Sequence, residues 1–122
     1  MDVKFDSRAD CVFATVTGPV SLEASLQAFN QTFDAAVERG LDLLLVDFSA
    51  VDGTLTTHER YKLGEGAAAS SFSKSWKTRP KIAVVGKAPQ VDGFGALTAS
   101  NRGLHVKTFS EVQPALDWLG IR

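Results

Sequence analysis

The segment Leu43-Leu44-Leu45-Val46 most narrows what this chain can fold into. Four consecutive apolar residues leave no polar face, so a strand built from them must be covered on both sides. Antiparallel sheets commonly bury one face only, whereas strands buried on both faces belong to sheets with helices above and below. The run is far short of the roughly 20 apolar residues that span a bilayer, and no longer apolar run occurs in the 122 residues. The sequence around it therefore has to supply covering helices and further strands.

It does so on both sides. Upstream, Leu22, Leu26, Phe29, Phe33 and Val37 fall at the spacing of one helical face, with Ser21 as N-cap, Glu23 and Arg39 placed favourably for the helix dipole, and Gly40 as C-terminal cap. Before that helix, Val3 and Phe5 alternate with Lys4 and Asp6, turn-forming residues occupy 7–10, and residues 11–17 read as a strand apolar on both faces, stopped by Gly18-Pro19. This opening is a predicted hairpin whose second strand lies inside the sheet. Downstream, Thr56-Thr57-His58-Glu59 has the capping-box spacing and predicts a helix running toward Trp76, with Tyr61, Ala68, Phe72 and Trp76 on its apolar face. Gly64 and Gly66 each cost such a helix about 1 kcal/mol, so a kink is expected near Gly64.

Residues 82–86 form a second short buried strand, and a weakly patterned helix falls within 90–101, anchored by Phe94 and Leu97 and ended by Gly103. Residues 104–109 make a last strand. Ser110-Glu111-Val112-Gln113 is a second capping-box match, opening a helix through Val112, Leu116 and Leu119. Strands alternating with helices through short loops imply right-handed crossovers. The predicted fold class is α/β: a mixed, mostly parallel five-stranded sheet with an N-terminal β-hairpin, in the order β-β-α-β-α-β-α-β-α, forming a single domain over 1–122.

Composition then excludes several function classes. Thirteen Lys and Arg against fourteen Asp and Glu leave a formal net charge of -1, which is not the strongly basic balance of a nucleic-acid binder. Cys11 is the single cysteine, so no internal disulfide or thiolate metal cage can form, and an inert core thiol in a reducing cytoplasm is expected. The first residues lack a basic stretch followed by an apolar one, so no secretory signal is expected. The small total charge conceals a split. Residues 1–61 carry 10 acids and 4 bases, net -6, and residues 62–122 carry 4 acids and 9 bases, net +5. Lys74, Lys77, Arg79, Lys81 and Lys87 cluster in sequence around Trp76. A solvated basic rim around a core tryptophan accounts for them, while peripheral contact with anionic headgroups or an acidic partner is the sharper alternative. Complementary halves would also suit a homodimer.

The chain resembles the SpoIIAA-like family, whose fold is shared with STAS domains. The resemblance spans the whole chain and rests on Val16-Thr17-Gly18, Leu44-Leu45-Val46-Asp47, Lys81-Ile82-Ala83-Val84-Val85-Gly86, Val106-Lys107-Thr108-Phe109 and Ala115-Leu116-Asp117-Trp118-Leu119. It implies a small bacterial cytoplasmic protein acting as a ligand- or lipid-responsive or protein-binding module. STAS proteins of the anti-sigma-factor antagonist type carry a phosphorylatable Ser or Thr at the start of the second helix, after Asp-Leu-Ser-x-Val and Asp-Ser-Ser-Gly motifs. Asp47-Phe48-Ser49-Ala50-Val51 is similar to the first, and Thr56 falls near the phosphosite. The second motif departs, with Leu55 in place of the Asp and Thr57-His58 in place of Ser-Gly. For Thr56 the plain alternative is a helix N-cap.

Ligands of open α/β sheets bind beyond the carboxyl ends of the parallel strands. That edge is expected to gather Asp47, Ser49, Thr54, Thr56, His58, Lys87 and Asp92, with Thr56, His58, Tyr61, Lys87 and Phe94 as the candidate ligand-binding residues. Polar loop residues are also what solvation alone requires. His58-Glu59 lacks the second histidine of a zinc helix, since Lys62 stands there, and no Gly-x-Ser-x-Gly or complete phosphate-binding loop accompanies Gly86-Lys87 or Gly93-Phe94-Gly95. Neither a metal nor a cofactor is expected. The residues support a non-catalytic regulatory or binding module for a small apolar or anionic, lipid-like ligand or a protein partner, with an apolar pocket under the 64–76 helix and a flap at Gly93. The alternative is a partner switch phosphorylated at Thr56. A hydrolase-like site pairing His58 with Asp47 or Asp92 is the weakest reading.

Overall fold

The computed structural model describes residues 1–6, 8–87 and 94–121, with Phe94 described through its backbone alone. The apolar run is where its chemistry requires it to be. Strand β3 (Leu43–Asp52) lies at the centre of a five-stranded sheet ordered β1-β2-β3-β4-β5, between β2 (Val12–Pro19) and β4 (Lys81–Val85). Strand β1 (Asp2–Asp6) pairs antiparallel to β2 as the expected hairpin, and β3, β4 and β5 (His105–Phe109) continue in parallel. The element order is the predicted one.

Period-two alternation sends the two halves of the central run to different layers. Leu44, Val46 and Phe48 pack with Phe29 and Phe33 beneath α1 (Leu22–Arg39), α2 (Thr57–Phe72) and α3 (Phe94–Asn101). Leu45 packs with Phe13, Ala83 and Leu116 beneath α4 (Val112–Leu119). Leu44, Leu45 and Val46 are fully buried, and each such side chain removed from water contributes about 2 kcal/mol. Because the strands lie side by side in chain order, the split in charge becomes spatial. The acidic half supplies β1, β2 and β3 at one side of the sheet, and the basic half supplies β4 and β5 at the other.

Capping explains where α1 stops and starts. Ser21 adopts an extended conformation and its hydroxyl accepts from the Ala24 amide at 3.1 Å, while Gly40, at φ 68°, closes the other end in the left-handed region.

Several local expectations are corrected. β3 runs well past its apolar centre to Asp52, because after a register shift between Thr15 and Thr17 it goes on pairing with the end of β2, Thr17 with Ala50 and Pro19 with Asp52. α2 ends at Phe72, with Ser73 as C-cap, so Trp76 lies beyond the helix. Its buried face is Gly64, Ala67, Ala68 and Ser71, and Phe72 is 52% exposed. No break occurs at Gly64. A Cβ there would lie 2.3 Å from the Gly95 carbonyl oxygen, so this glycine lets α3 approach α2 closely. α4 is capped by Glu111 with no side-chain bond, not by a Ser110 box. Pro114 is the reason: with Ser110 as cap it would occupy the first position whose N–H the helix must use, and it has none.

Candidate functional site

The candidate site grows from the turn between β3 and α2. Leu55 is 7% exposed and anchors this turn in the core, so the chain reverses tightly and Thr56 is left at the surface as the α2 N-cap. Its hydroxyl accepts from the Glu59 amide at 3.1 Å, and the Glu59 carboxylate accepts from the Thr56 amide at 2.9 Å. The capping box is thus closed in both directions, which satisfies two amides of the helix end. Arg60 reinforces the turn by donating to the Leu55 carbonyl and, at 3.2 Å, to the Thr57 hydroxyl.

The other predicted site residues disperse. His58 is exposed on the first turn of α2. Asp47 accepts from the Ser49 amide at 2.9 Å and shares the sheet face of Leu45, opposite the layer that holds α2. His58 and Asp47 therefore do not form a pair, and the hydrolase-like reading loses that partner. Asp92, its other partner, lies outside the described residues, as do Gly93 and the side chain of Phe94. Tyr61 turns toward α3, where its hydroxyl oxygen accepts from Arg102 at 3.2 Å and the same guanidinium pairs with Glu65 at 2.7 Å. Lys87 is exposed just past β4, after Gly86, whose amide donates to the Phe109 carbonyl at 2.9 Å. Among the described residues no three His, Cys, Asp or Glu side chains converge as a metal would require.

An apolar cavity of about 80 Å3 does exist under α2, on its N-terminal half rather than over the whole 64–76 segment. Its walls include Phe48, Ile82, Val84, Leu63 and Ala67, and Gly53 and Thr54 stand at its exposed end. Near Trp76 the open space is smaller, about 50 Å3, and partly polar, between Val37, Gly40 and Leu41 on one side and Asp42, Trp76 and Thr78 on the other. The indole meets Phe33 edge-on at 6.0 Å between centroids and donates to the Ser71 carbonyl at 2.8 Å. Arg60 and Leu63 were not singled out from the sequence. Both sit within two turns of Thr56, and their spacing from it was the available signal.

The basic segment does not act as one patch. Lys74 is paired with Asp34 at 2.9 Å and donates to Asn30 at 2.7 Å. Lys81 lies over the Trp118 ring at 4.3 Å and donates to the Trp118 carbonyl. Lys77 and Arg79 are exposed before β4, and Lys87 follows its opposite end. Cys11 is fully buried at the start of β2, and burial, then the Asp10 carboxylate, push its thiol above the ordinary range. No helix among the described residues is long and apolar enough to cross a membrane.

A hairpin leading into a parallel sheet, three helices on one face and one on the other, and a capped second helix at the strand ends define the SpoIIAA-like, STAS-type fold class. In particular, the chain is similar to an anti-sigma factor antagonist from Mycobacterium paratuberculosis, at 18% identity and a TM-score of 0.65, over 98% of this chain and 93% of that one. It is also similar to the anti-sigma factor antagonist SpoIIAA in its unphosphorylated form, at 12% identity and a TM-score of 0.58, over 99% of each chain. Neither a protein-family model nor a curated protein matches it. At these identities the likeness establishes the fold, and function has to be argued from the site.

Proposed function

We propose that the chain is a non-catalytic regulatory module that binds a protein partner through the β3–α2 turn and the first turn of α2, with Thr56 as its point of control. The whole-chain likeness to two anti-sigma factor antagonists supports the partner class, an anti-sigma factor. The observation that carries the reading is the capping box at an exposed helix start. A phosphate on Thr56 would bring about two negative charges beside the Glu59 carboxylate, which now bonds the Thr56 amide. Like charges at that range repel, so modification would open the box on the Glu59 side while the helix amides attract the phosphate. The first turn would change shape and charge together, which is what a partner surface needs in order to be switched.

The test is calorimetric titration of the full chain against each anti-sigma factor encoded in the same genome, with Thr56→Ala and Thr56→Glu beside it. Micromolar or tighter binding by the wild type, kept in Thr56→Ala and weakened at least tenfold in Thr56→Glu, is expected. Loss of Thr56 as a cap lowers stability by about 1 kcal/mol in both variants, so a weakening common to both would count against control at this position. Absence of binding to every anti-sigma factor would remove the partner class.

A further inference from the structure

The cavity between β3, β4, α2 and α3 opens at Gly53 and Thr54 of the β3–α2 turn, so it borders the proposed partner surface, but the inference drawn from it does not rest on that reading. Protein interiors pack to the density of organic crystals and keep few voids larger than a water molecule. About 80 Å3 is left open here among side chains such as Phe29, Phe48 and Ile82 that are themselves buried. Where α2 and α3 meet at one side of it, Gly64 and Gly95 line the space without side chains that could fold into it. Phe29, Phe48, Ile82, Val84 and Ala67 form apolar walls.

The lining chemistry restricts what such a space accepts. A buried water needs two to four polar partners. Arg60 is the one charged side chain among the described lining residues, and its guanidinium bonds the Leu55 carbonyl and the Thr57 hydroxyl. Ser25 likewise donates to the Met1 sulfur at 3.8 Å. The remaining polar groups, Thr54 and Thr108, are uncharged hydroxyls, and Thr54 is exposed at the outer end. A cationic head group would lose its hydration here with no carboxylate among the described lining residues, and an anionic one would meet only Arg60, whose guanidinium is already held by the Leu55 carbonyl and the Thr57 hydroxyl.

We infer that this cavity is a binding site for a small neutral apolar molecule whose one polar group, if it has one, stays at Thr54. Its volume is about half that of an engineered cavity that takes benzene, so it holds about three carbons of an aliphatic chain, with the remainder and any hydroxyl lying toward the open end beside Thr54.

The experiment titrates isotope-labelled full chain, at neutral pH, with 1-pentanol, pentanoate and pentylamine in parallel, following amide shifts. Saturable shifts at Thr54, Leu63 and Val84 with 1-pentanol, at an affinity at least tenfold above either ion, are expected. Ala67→Leu fills the cavity and should abolish the saturable shifts while leaving the spectrum dispersed. Should that variant fail to fold, Val84→Ile adds a single methylene and should weaken 1-pentanol at least threefold. Non-saturating shifts spread over the surface, pentanoate or pentylamine binding as tightly as 1-pentanol, or undiminished affinity in the filled variant would each overturn the inference.

Discussion

Replacing Gly64 and Gly66 by alanine, one at a time, separates helix propensity from tertiary contact, because both residues lie inside α2 and share the same local backbone. Propensity alone favours either alanine by about 1 kcal/mol. At Gly64 the new Cβ would sit 2.3 Å from the Gly95 carbonyl oxygen and 3.0 Å from the Thr98 Cβ. The nearest of these atoms is backbone, so α3 must move away from α2 by about 1 Å before ordinary contact is restored. That places the overpacking cost near the upper end of the usual range, about 3 kcal/mol, for a net loss of about 2 kcal/mol. At Gly66 the Cβ would meet the Leu26 Cδ2 atom at 2.5 Å. This is the tip of a flexible side chain, and moving it costs about 1 kcal/mol, which offsets the propensity gain. Urea unfolding should therefore give Gly66→Ala a midpoint close to wild type and Gly64→Ala a lower one at unchanged slope. Thermal melts should separate the two by about 6–10 °C. A Gly64→Ala variant as stable as Gly66→Ala would show that the close approach of α2 and α3 does not constrain this position.

Two further outcomes follow from the packing. Lys74 joins the end of α2 to α1 through Asp34 and Asn30, so a double-mutant cycle with Lys74→Ala and Asp34→Ala should yield a coupling of about 0.5–1 kcal/mol that shrinks in molar salt; a coupling unchanged by salt would mean that the ion pair is not its source. Cys11 is protonated more firmly in the fold than in the unfolded chain. Its contribution to stability is therefore present at neutral pH and lost as the pH rises through the ordinary thiol range toward the higher folded value. Urea midpoints measured across that range should fall more steeply for wild type than for Cys11→Ala, and parallel curves would refute the assignment.

Features that depend on neighbours within a turn or two were legible from residues alone. The α1 caps at Ser21 and Gly40 and the Thr56–Glu59 box are set by contacts three or four positions apart, and the structure contains both; of the α1 stripe only Phe29 and Phe33 are buried, beside Ser25, Ala28, Thr32 and Ala36. The doubly covered strand was legible for a different reason: four apolar residues in a row admit no solvent-facing side, whichever elements cover them. The misplaced start of α4 was also a local matter, since Pro114 was visible and forbids a Ser110 cap. For the candidate site, sequence placed Thr56 and His58 at a helix start, whereas the hydrogen bond that Tyr61 accepts from Arg102, 41 positions away, depends on how the segments around α2 and α3 pack.

By itself, then, the sequence determined the order of strands and helices, the caps that end α1 and begin α2, and the burial of residues 44–46, because these follow from periodicity and from backbone groups that must be satisfied nearby. Tertiary structure alone decided that Gly64 is a point of contact and not a kink, that Lys74 and Lys81 are engaged elsewhere, and that the apolar cavity lies beside Leu63 while the space beside Trp76 is smaller and partly polar. Each of these is set by atoms that chain order keeps far apart. Asn30 and Lys74 are 44 positions apart, and a glycine's role depends on what stands within a few ångströms of its missing Cβ, which only the packed arrangement of α1, α2 and α3 supplies.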